Sequence, residues 1–230
     1  MKDEIRKKLY EKRKPEKVSF LKRILATPFE VIGVMIPDSR AIAKDYKNLR
    51  IYEVYNLFDE LINSNIHEEK NIAIHILQQY KKYYNLETWK FLRQRINKFT
   101  TWDHIDAIAT DIFAEILLKN PYLMTEIKEM ANSKNHWERR LAIESTIKMI
   151  KKNKIELTLR LAEKLVYDDD IYVQKGVGWM LREAGKKDRF AVREFILRRL
   201  DMKPQAFSYA TEKMIELRKI RKDKIKNDKH

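Results

Sequence analysis

Apolar residues recur along this chain at the spacing of helices rather than of strands. In one segment, Ile72, Ile76, Leu77 and Tyr80 form a single broad stripe, which is typical of an amphipathic helix. Residues 105–117 repeat this pattern. No alternating run of five or more residues indicates a strand. The pattern therefore predicts an almost entirely helical chain with short loops.

The helical segments also repeat along the chain at a nearly constant interval. Small residues recur at spacings of 34, 35, 35 and 33, at Ala73, Ala107, Ala142, Val177 and Ala210. A repeat of about 35 residues that contains two helices is typical of an α-solenoid. We predict an all-α solenoid of helical repeats, curved and with a basic concave face, and a plain helical bundle is the alternative.

Positive charge is concentrated at the two ends of the chain. The 49 Lys and Arg exceed the 34 Asp and Glu by 15. Residues 1–17 hold eight basic and four acidic side chains, and residues 218–230 hold seven and two. We expect a basic N-terminal helix or extension over 1–17, one repeat domain over 18–217 and a basic tail over 218–230. Because the middle is also basic, nucleic acid is favoured as partner over an acidic protein, although charge runs are also typical of solvated helix faces.

Composition excludes some kinds of chemistry. The chain has no cysteine, which excludes a disulfide scaffold, a thiol nucleophile, a zinc finger and an iron–sulfur site. The five histidines lack the spacing of metal ligands, and there is no glycine-rich phosphate loop. No apolar run approaches a membrane span, and no secretory signal is recognisable. We expect no metal or cofactor, and a cytoplasmic, nucleoid-associated protein.

The segment from Trp102 to Asp106 contains the most unusual carboxylate. Asp106 lies four residues after Trp102, so the two side chains share one face of a helix. Asp106 also stands at the start of a strongly apolar helix, where a carboxylate is paired, capped or functional. The residues alone favour a helix cap or a salt bridge over catalysis at this position.

A second tryptophan, Trp179, follows two glycines in a helical segment. Gly176 and Gly178 each weaken a helix by about 1 kcal/mol, which suggests close approach by a partner helix or a ligand. Trp179 is either a core residue or an aromatic wall against a nucleotide. Nearby cations could contact phosphates or form a solvated face: Arg139, Arg140, Lys175 and Arg182.

These stretches resemble the AlkD-like family of DNA alkylation repair glycosylases, which are built from HEAT-like repeats. The resemblance rests on residues 33–40, 102–106, 137–140 and 173–183, and more weakly on 209–213. They occur in the order of the family across roughly residues 20–217. The resemblance implies a HEAT-like repeat fold.

The resemblance also implies roles for individual residues. Asp106 would be the catalytic carboxylate, Trp102 and Trp179 would bracket the sugar of the damaged nucleotide, and Arg140 would lie near the scissile nucleotide. We expect further contacts with the DNA backbone from Arg139, Lys175, Arg182 and Arg40. The chain departs from the family pattern at two positions, where Met35 replaces a glutamine and Ser208 replaces an arginine.

The implied reaction is hydrolysis of the N-glycosidic bond of cationic N3- or N7-alkylated purines in duplex DNA. A carboxylate near C1′ would stabilise an oxocarbenium-like sugar and orient water. We predict a monomeric, monofunctional glycosylase that leaves an abasic site. The resemblance implies that the lesion stays largely stacked, and no pocket-forming segment is apparent.

Two other functions are consistent with the sequence. A non-catalytic HEAT-like repeat protein would bind distorted DNA without releasing a base. A helical-repeat adaptor would bind an acidic protein in a peptide groove. Basic residues on the same face as Asp106 would favour DNA, whereas basic residues on the opposite face would favour the adaptor.

Overall fold

The computed structural model describes residues 1–227 of the chain, and these residues are mostly helical. They contain no β-strand, and two residues, Glu30 and Ile66, form an isolated β-bridge. The predicted all-α class is therefore confirmed. The α-helices are α1 (Lys2–Glu11), α2 (Pro15–Leu25), α3 (Ile36–Ala43), α4 (Ile51–Ile62), α5 (His67–Gln78), α6 (Leu86–Arg93), α7 (Trp102–Ala107), α8 (Ala114–Lys119), α9 (Met124–Met130), α10 (His136–Glu144), α11 (Ile147–Lys151), α12 (Glu156–Leu165), α13 (Ile171–Gly185), α14 (Arg189–Leu197), α15 (Pro204–Ala210) and α16 (Ile215–Asn227).

Shorter helical segments separate several of these helices. A π-helix follows α7 over Ile108–Phe113. The 3-10 helices are Lys44–Tyr46, Lys81–Tyr83, Ile96–Lys98 and Pro121–Leu123. The chain divides into two compact units, Met1–Ile112 and a second that begins at Phe113.

The first unit is organised around helix α5, whose residues 67–77 are all buried. Helices α3 and α4 pack against α5, and α1 contacts all three. The apolar side chains Ile5 and Leu9 of α1 are fully buried, and Arg6 forms an ion pair with Glu69 of α5 at 2.6 Å. The basic segment 1–17 therefore contributes apolar residues to a packed core, while its predicted boundary stays a prediction.

A buried carboxylate fixes the loop that leads into α3. Glu68 of α5 accepts hydrogen bonds from the backbone N–H groups of Ile32, Gly33 and Val34 at 2.8–3.2 Å. Gly33 has a φ of +92°, which a residue with a Cβ rarely adopts. This loop sets the position of Met35, the residue immediately before α3.

In the second unit, α13 is the central helix and packs against α10, α12, α14 and α15. A Cβ added to Gly178 would lie 2.6 Å from the carbonyl oxygen of Ala206 in α15. A Cβ added to Gly176 would lie 2.9 Å from a carboxylate oxygen of Glu144 in α10. The two glycines therefore allow partner helices to approach closely, as the sequence suggested.

The basic C-terminal segment is helical where the structure describes it. Helix α16 extends to Asn227, the last described residue, and its Leu217 is buried. Residues 228–230 of the predicted tail lie outside the described residues. Across residues 1–227, no helix combines the length and the apolar character that crossing a bilayer requires.

Candidate functional site

The first unit contains a cleft of about 410 Å³. Its apolar side is formed by α2, the segment before α3 and the start of α7, with Phe20, Leu21, Ile24, Met35 and Trp102. Its polar side is formed by α5, α7 and the π-helix. The ionisable residues that line it are Arg40, His67, Glu68, His75, Asp103, Asp106 and Asp111.

Three of the predicted site residues lie in this cleft: Trp102, Asp106 and Arg40. Trp102 and Asp106 are one turn apart on α7, so their side chains lie on one face of the helix. Both are half-buried, whereas Arg40 is exposed. The indole Nε1 of Trp102 donates a hydrogen bond to the carbonyl oxygen of Ile24 at 3.0 Å. Helix α2 therefore fixes the ring that forms one wall of the cleft.

A group of buried polar residues holds the start of α7 against α5. The His67 Nε2 and an Asp103 carboxylate oxygen lie 2.9 Å apart, and the rings of His67 and His104 stack at 4.2 Å. His104 Nδ1 also lies 2.8 Å from the Thr101 hydroxyl. These contacts position the helical turn that carries Asp106.

Burial determines the charge of this polar group. Complete burial lowers the pKa of His104 to about 3, so its ring is neutral at pH 7. Burial favours a higher pKa for Asp103, but the neighbouring His104 and the hydrogen bond with His67 outweigh it and hold the pKa of Asp103 well below its usual range. Asp103 is therefore ionised and is committed to the support of α7.

The same residues offer three potential metal ligands. Donor atoms of His67, Asp103 and His104 lie within 4.8 Å of one another. However, a metal ion binds an imidazole in the plane of its ring, and the two rings are stacked with an interplanar angle of 27°. Stacked rings do not direct their lone pairs towards one ion, so the geometry fits a hydrogen-bonded support better than a metal centre.

A second hydrogen-bonded group lies farther along the cleft and was not identified from the sequence. Gln78 Nε2 donates to an Asp111 carboxylate oxygen at 2.7 Å, and His75 Nδ1 lies 2.9 Å from Gln78 Oε1. Burial lowers the pKa of His75, so the ring is neutral. Because Gln78 Oε1 can only accept, the proton of His75 is on Nδ1.

In the second unit, three of the predicted DNA-contacting arginines are held by carboxylates. Arg139 forms two hydrogen bonds with Asp168, at 2.6 and 2.9 Å. Arg140 is 5% exposed, pairs with Glu144 at 2.8 Å and also donates to the carbonyl of Tyr172. These guanidinium groups primarily stabilise helix packing, and their contact with DNA stays a prediction.

The third of these arginines, Arg182, pairs with Glu212 and lies 3.4 Å from Glu183. Trp179 and Lys175 are both half-buried on α13. Lys175 Nζ lies 5.7 Å from the centre of the Tyr172 ring, and the structure gives it no carboxylate partner among the described residues. The predicted bracketing of a nucleotide by Trp102 and Trp179 stays a prediction.

The two departures from the family pattern are in different surroundings. Met35 lines the cleft and extends its apolar side. Ser208 is exposed on α15, and its carbonyl oxygen accepts a hydrogen bond from Arg218 at 3.2 Å. A cation is therefore present beside Ser208, although it comes from α16.

Comparison with known proteins agrees with this fold. A predicted DNA alkylation repair enzyme from Enterococcus faecalis superposes with a TM-score of 0.78 at 18% identity, covering 88% of this chain and 97% of that one. AlkD2 from Streptococcus mutans superposes with a TM-score of 0.62 at 22% identity, and the match covers 86% of this chain and 97% of AlkD2. The smu.31 protein from Streptococcus mutans UA159 superposes with a TM-score of 0.61 at 24% identity, and the match covers 77% of this chain and 92% of the smu.31 chain.

These likenesses confirm the helical-repeat fold, while the predicted basic concave face stays a prediction. No curated protein matches the chain. The family described as "DNA alkylation repair enzyme" matches residues 5–214, nearly the whole sequence. The chain therefore belongs to the DNA alkylation repair enzyme family.

Proposed function

We propose that this protein is a DNA glycosylase that hydrolyses the N-glycosidic bond of cationic N3- or N7-alkylated purines in duplex DNA. The observation that carries the proposal is the presence of Asp106 and Trp102 on one face of α7, in a cleft of about 410 Å³. A carboxylate beside an indole can stabilise a positively charged sugar, because both groups attract positive charge.

The charge of the cleft supports a cationic substrate. Within the described part of the chain, the cleft is lined by four carboxylates and one guanidinium: Glu68, Asp103, Asp106, Asp111 and Arg40. This excess of carboxylates makes the lining of the cleft negatively charged. A negatively charged cleft favours a ligand on which positive charge is present or develops.

The chemistry needs little acid catalysis. An alkylated purine is already cationic and leaves as a neutral base when the electrons of the C1′–N bond move to it. Positive charge then develops on the deoxyribose, as in glycoside hydrolysis. Asp106 stabilises this charge and orients the attacking water, and the Trp102 ring excludes bulk water from one side.

Arg40 and Lys175 are the cations best suited to phosphates, because neither is paired with a carboxylate among the described residues. To bind DNA, three other arginines would have to leave their carboxylate partners and contact a phosphate instead: Arg139, Arg140 and Arg182. Trp179 would also contact the damaged nucleotide. We expect no lyase step, so the product strand keeps an intact abasic site.

The test is incubation of the wild-type protein with methylated duplex DNA, followed by chromatography of the released bases. Release of 7-methylguanine or 3-methyladenine with an unbroken abasic strand supports the proposal. Salt-dependent DNA binding without base release would identify a non-catalytic DNA-binding protein instead. Binding to acidic proteins without preference for DNA would identify an adaptor.

A further inference from the structure

A second carboxylate, Asp111, lines the same cleft as Asp106. In a regular α-helix, residues five positions apart point roughly 140° away from each other. Asp111, however, lies in the π-helix Ile108–Phe113. The i→i+5 hydrogen bonds of a π-helix place more residues in each turn, so Asp111 is rotated back towards the side that carries Asp106.

Two further residues fix the orientation of Asp111. Gln78 Nε2 donates to the carboxylate at 2.7 Å. The orientation of this amide is fixed in turn by His75, whose Nδ1 donates to Gln78 Oε1 at 2.9 Å. Gln78 thus presents its NH₂ group to Asp111 and holds the carboxylate in place.

The surroundings of His75 indicate a place for an external hydrogen-bond donor. His75 lines the cleft, is 6% exposed, and its Nε2 is buried with no hydrogen-bond partner among the described residues. A buried acceptor without a partner is energetically unfavourable. Water that enters this end of the cleft would satisfy it. Arg40, Asp103 and Asp111 are the charged groups that act on this ring.

We propose that Asp111 is a second catalytic residue, which accepts the proton of the attacking water while Asp106 remains ionised beside the sugar. This inference rests on the proposed function. The water oxygen forms a bond to C1′ as the C1′–N bond breaks and its electron pair neutralises the purine. One water proton passes to the Asp111 carboxylate and then to solvent, so atoms and charge balance.

With two carboxylates, one can stabilise the positive sugar while the other accepts the proton of water. If Asp106 accepted the proton, it would lose its charge while the sugar still carries positive charge. A neighbouring base held at another angle removes this conflict. The orienting residues Gln78 and His75 would act through Asp111, so they are positioning residues.

The test compares single-turnover release of 7-methylguanine by Asp111→Asn, with and without sodium azide. The substitution keeps the shape and removes the base, so we expect release to fall on the order of 100-fold. Azide needs no deprotonation to attack C1′. It should therefore restore release by Asp111→Asn and leave an azido sugar, detectable by mass spectrometry, in place of the abasic site.

The controls separate this inference from the proposed function. Sodium chloride at the same concentration corrects for weaker DNA binding in salt, and Glu115→Gln removes a carboxylate paired with Lys148 outside the cleft. Asp106→Asn should be inactive and not rescued by azide. Gln78→Leu should lose activity less than Asp111→Asn and should not lose its fold.

The outcomes are distinct. Full activity of Asp111→Asn, or a loss that azide does not restore in a folded protein, overturns the role of Asp111 and leaves the proposed function intact. If Asp111→Asn does not fold, the test rests on Gln78→Leu. Unchanged release of 7-methylguanine by Gln78→Leu would then overturn the role of Asp111. No base release by the wild-type protein would overturn both.

Discussion

At the scale of single residues, buried polar groups hold the side chains of the proposed site in position. Asp103 and His67 hold α7 against α5, and Gln78 holds Asp111. The sequence singled out Asp106 and Trp102 because of their helical spacing. It could not identify Asp111 or Gln78, since the role proposed for them depends on a contact between residues 33 positions apart.

Glu68 provides a test of stability at this scale. Glu68→Gln replaces an acceptor by an amide whose NH₂ group faces the backbone N–H groups of residues 32–34. We expect it to lower the free energy of unfolding by about 2 kcal/mol, measured by urea denaturation. The exposed Glu87→Gln is the matched control and should change it little. Equal stability of both variants would contradict the assigned role of Glu68.

Acid should weaken the protein through His104. Its pKa in the folded state is about 3, below its ordinary value of 6.5, so the unfolded state binds the proton more readily. The stabilising contribution is complete above pH 6.5 and is lost as the pH falls towards 3. His104→Asn should flatten the dependence of stability on pH in this range. An unchanged slope would show that His104 does not control it.

At the scale of elements, the helical periodicity correctly predicts that the chain is all-α, and the two glycines correctly indicate close helix packing at α13. The π-helix after α7 was not predicted, because its sequence has an ordinary apolar pattern and the wider turn depends on tertiary packing. The cleft was also missed, since its walls come from four separated helices. The sequence had suggested that no pocket-forming segment was present.

The glycines of α13 differ in what surrounds them. A Cβ at Gly178 would lie 2.6 Å from the backbone oxygen of Ala206, whereas at Gly185 its nearest neighbour is the flexible end of Met214. We expect Gly178→Ala to destabilise the protein by about 1–3 kcal/mol, despite the better helix propensity of alanine. Gly185→Ala should be nearly neutral. Urea denaturation measures both, and a stabilised Gly178→Ala would contradict the packing described here.

At the scale of the whole molecule, the net charge of +15 overstates the cations that are available to DNA. Arginines in both units are held in ion pairs with carboxylates, including Arg6, Arg95, Arg139, Arg182 and Arg189. Charge counting along the sequence cannot separate these from available cations, because the partner carboxylates lie 27–63 positions away along the chain.

This distinction predicts different effects of removing two arginines. Arg40→Gln should weaken DNA binding and reduce the slope of log affinity against log salt by about 0.9, the amount expected for one phosphate contact. Arg139→Gln should leave Asp168 without its ion-pair partner and lower the free energy of unfolding by about 2 kcal/mol, and it should change the salt slope less than Arg40→Gln does. Fluorescence anisotropy at several salt concentrations measures the slopes. A change in slope for Arg139→Gln alone would reverse the assignment.

If the Asp106 carboxylate carries the removal of alkylated purines, the rate of base release must fall when that carboxylate is lost. The measurement is the single-turnover rate of 7-methylguanine release from methylated duplex DNA. It compares the wild-type protein with Asp106→Asn and with the control Asp38→Asn, which alters an ion pair with Lys14. We predict a loss on the order of 100-fold or more for Asp106→Asn only. Equal rates for the folded wild-type and Asp106→Asn proteins would show that Asp106 does not carry the reaction.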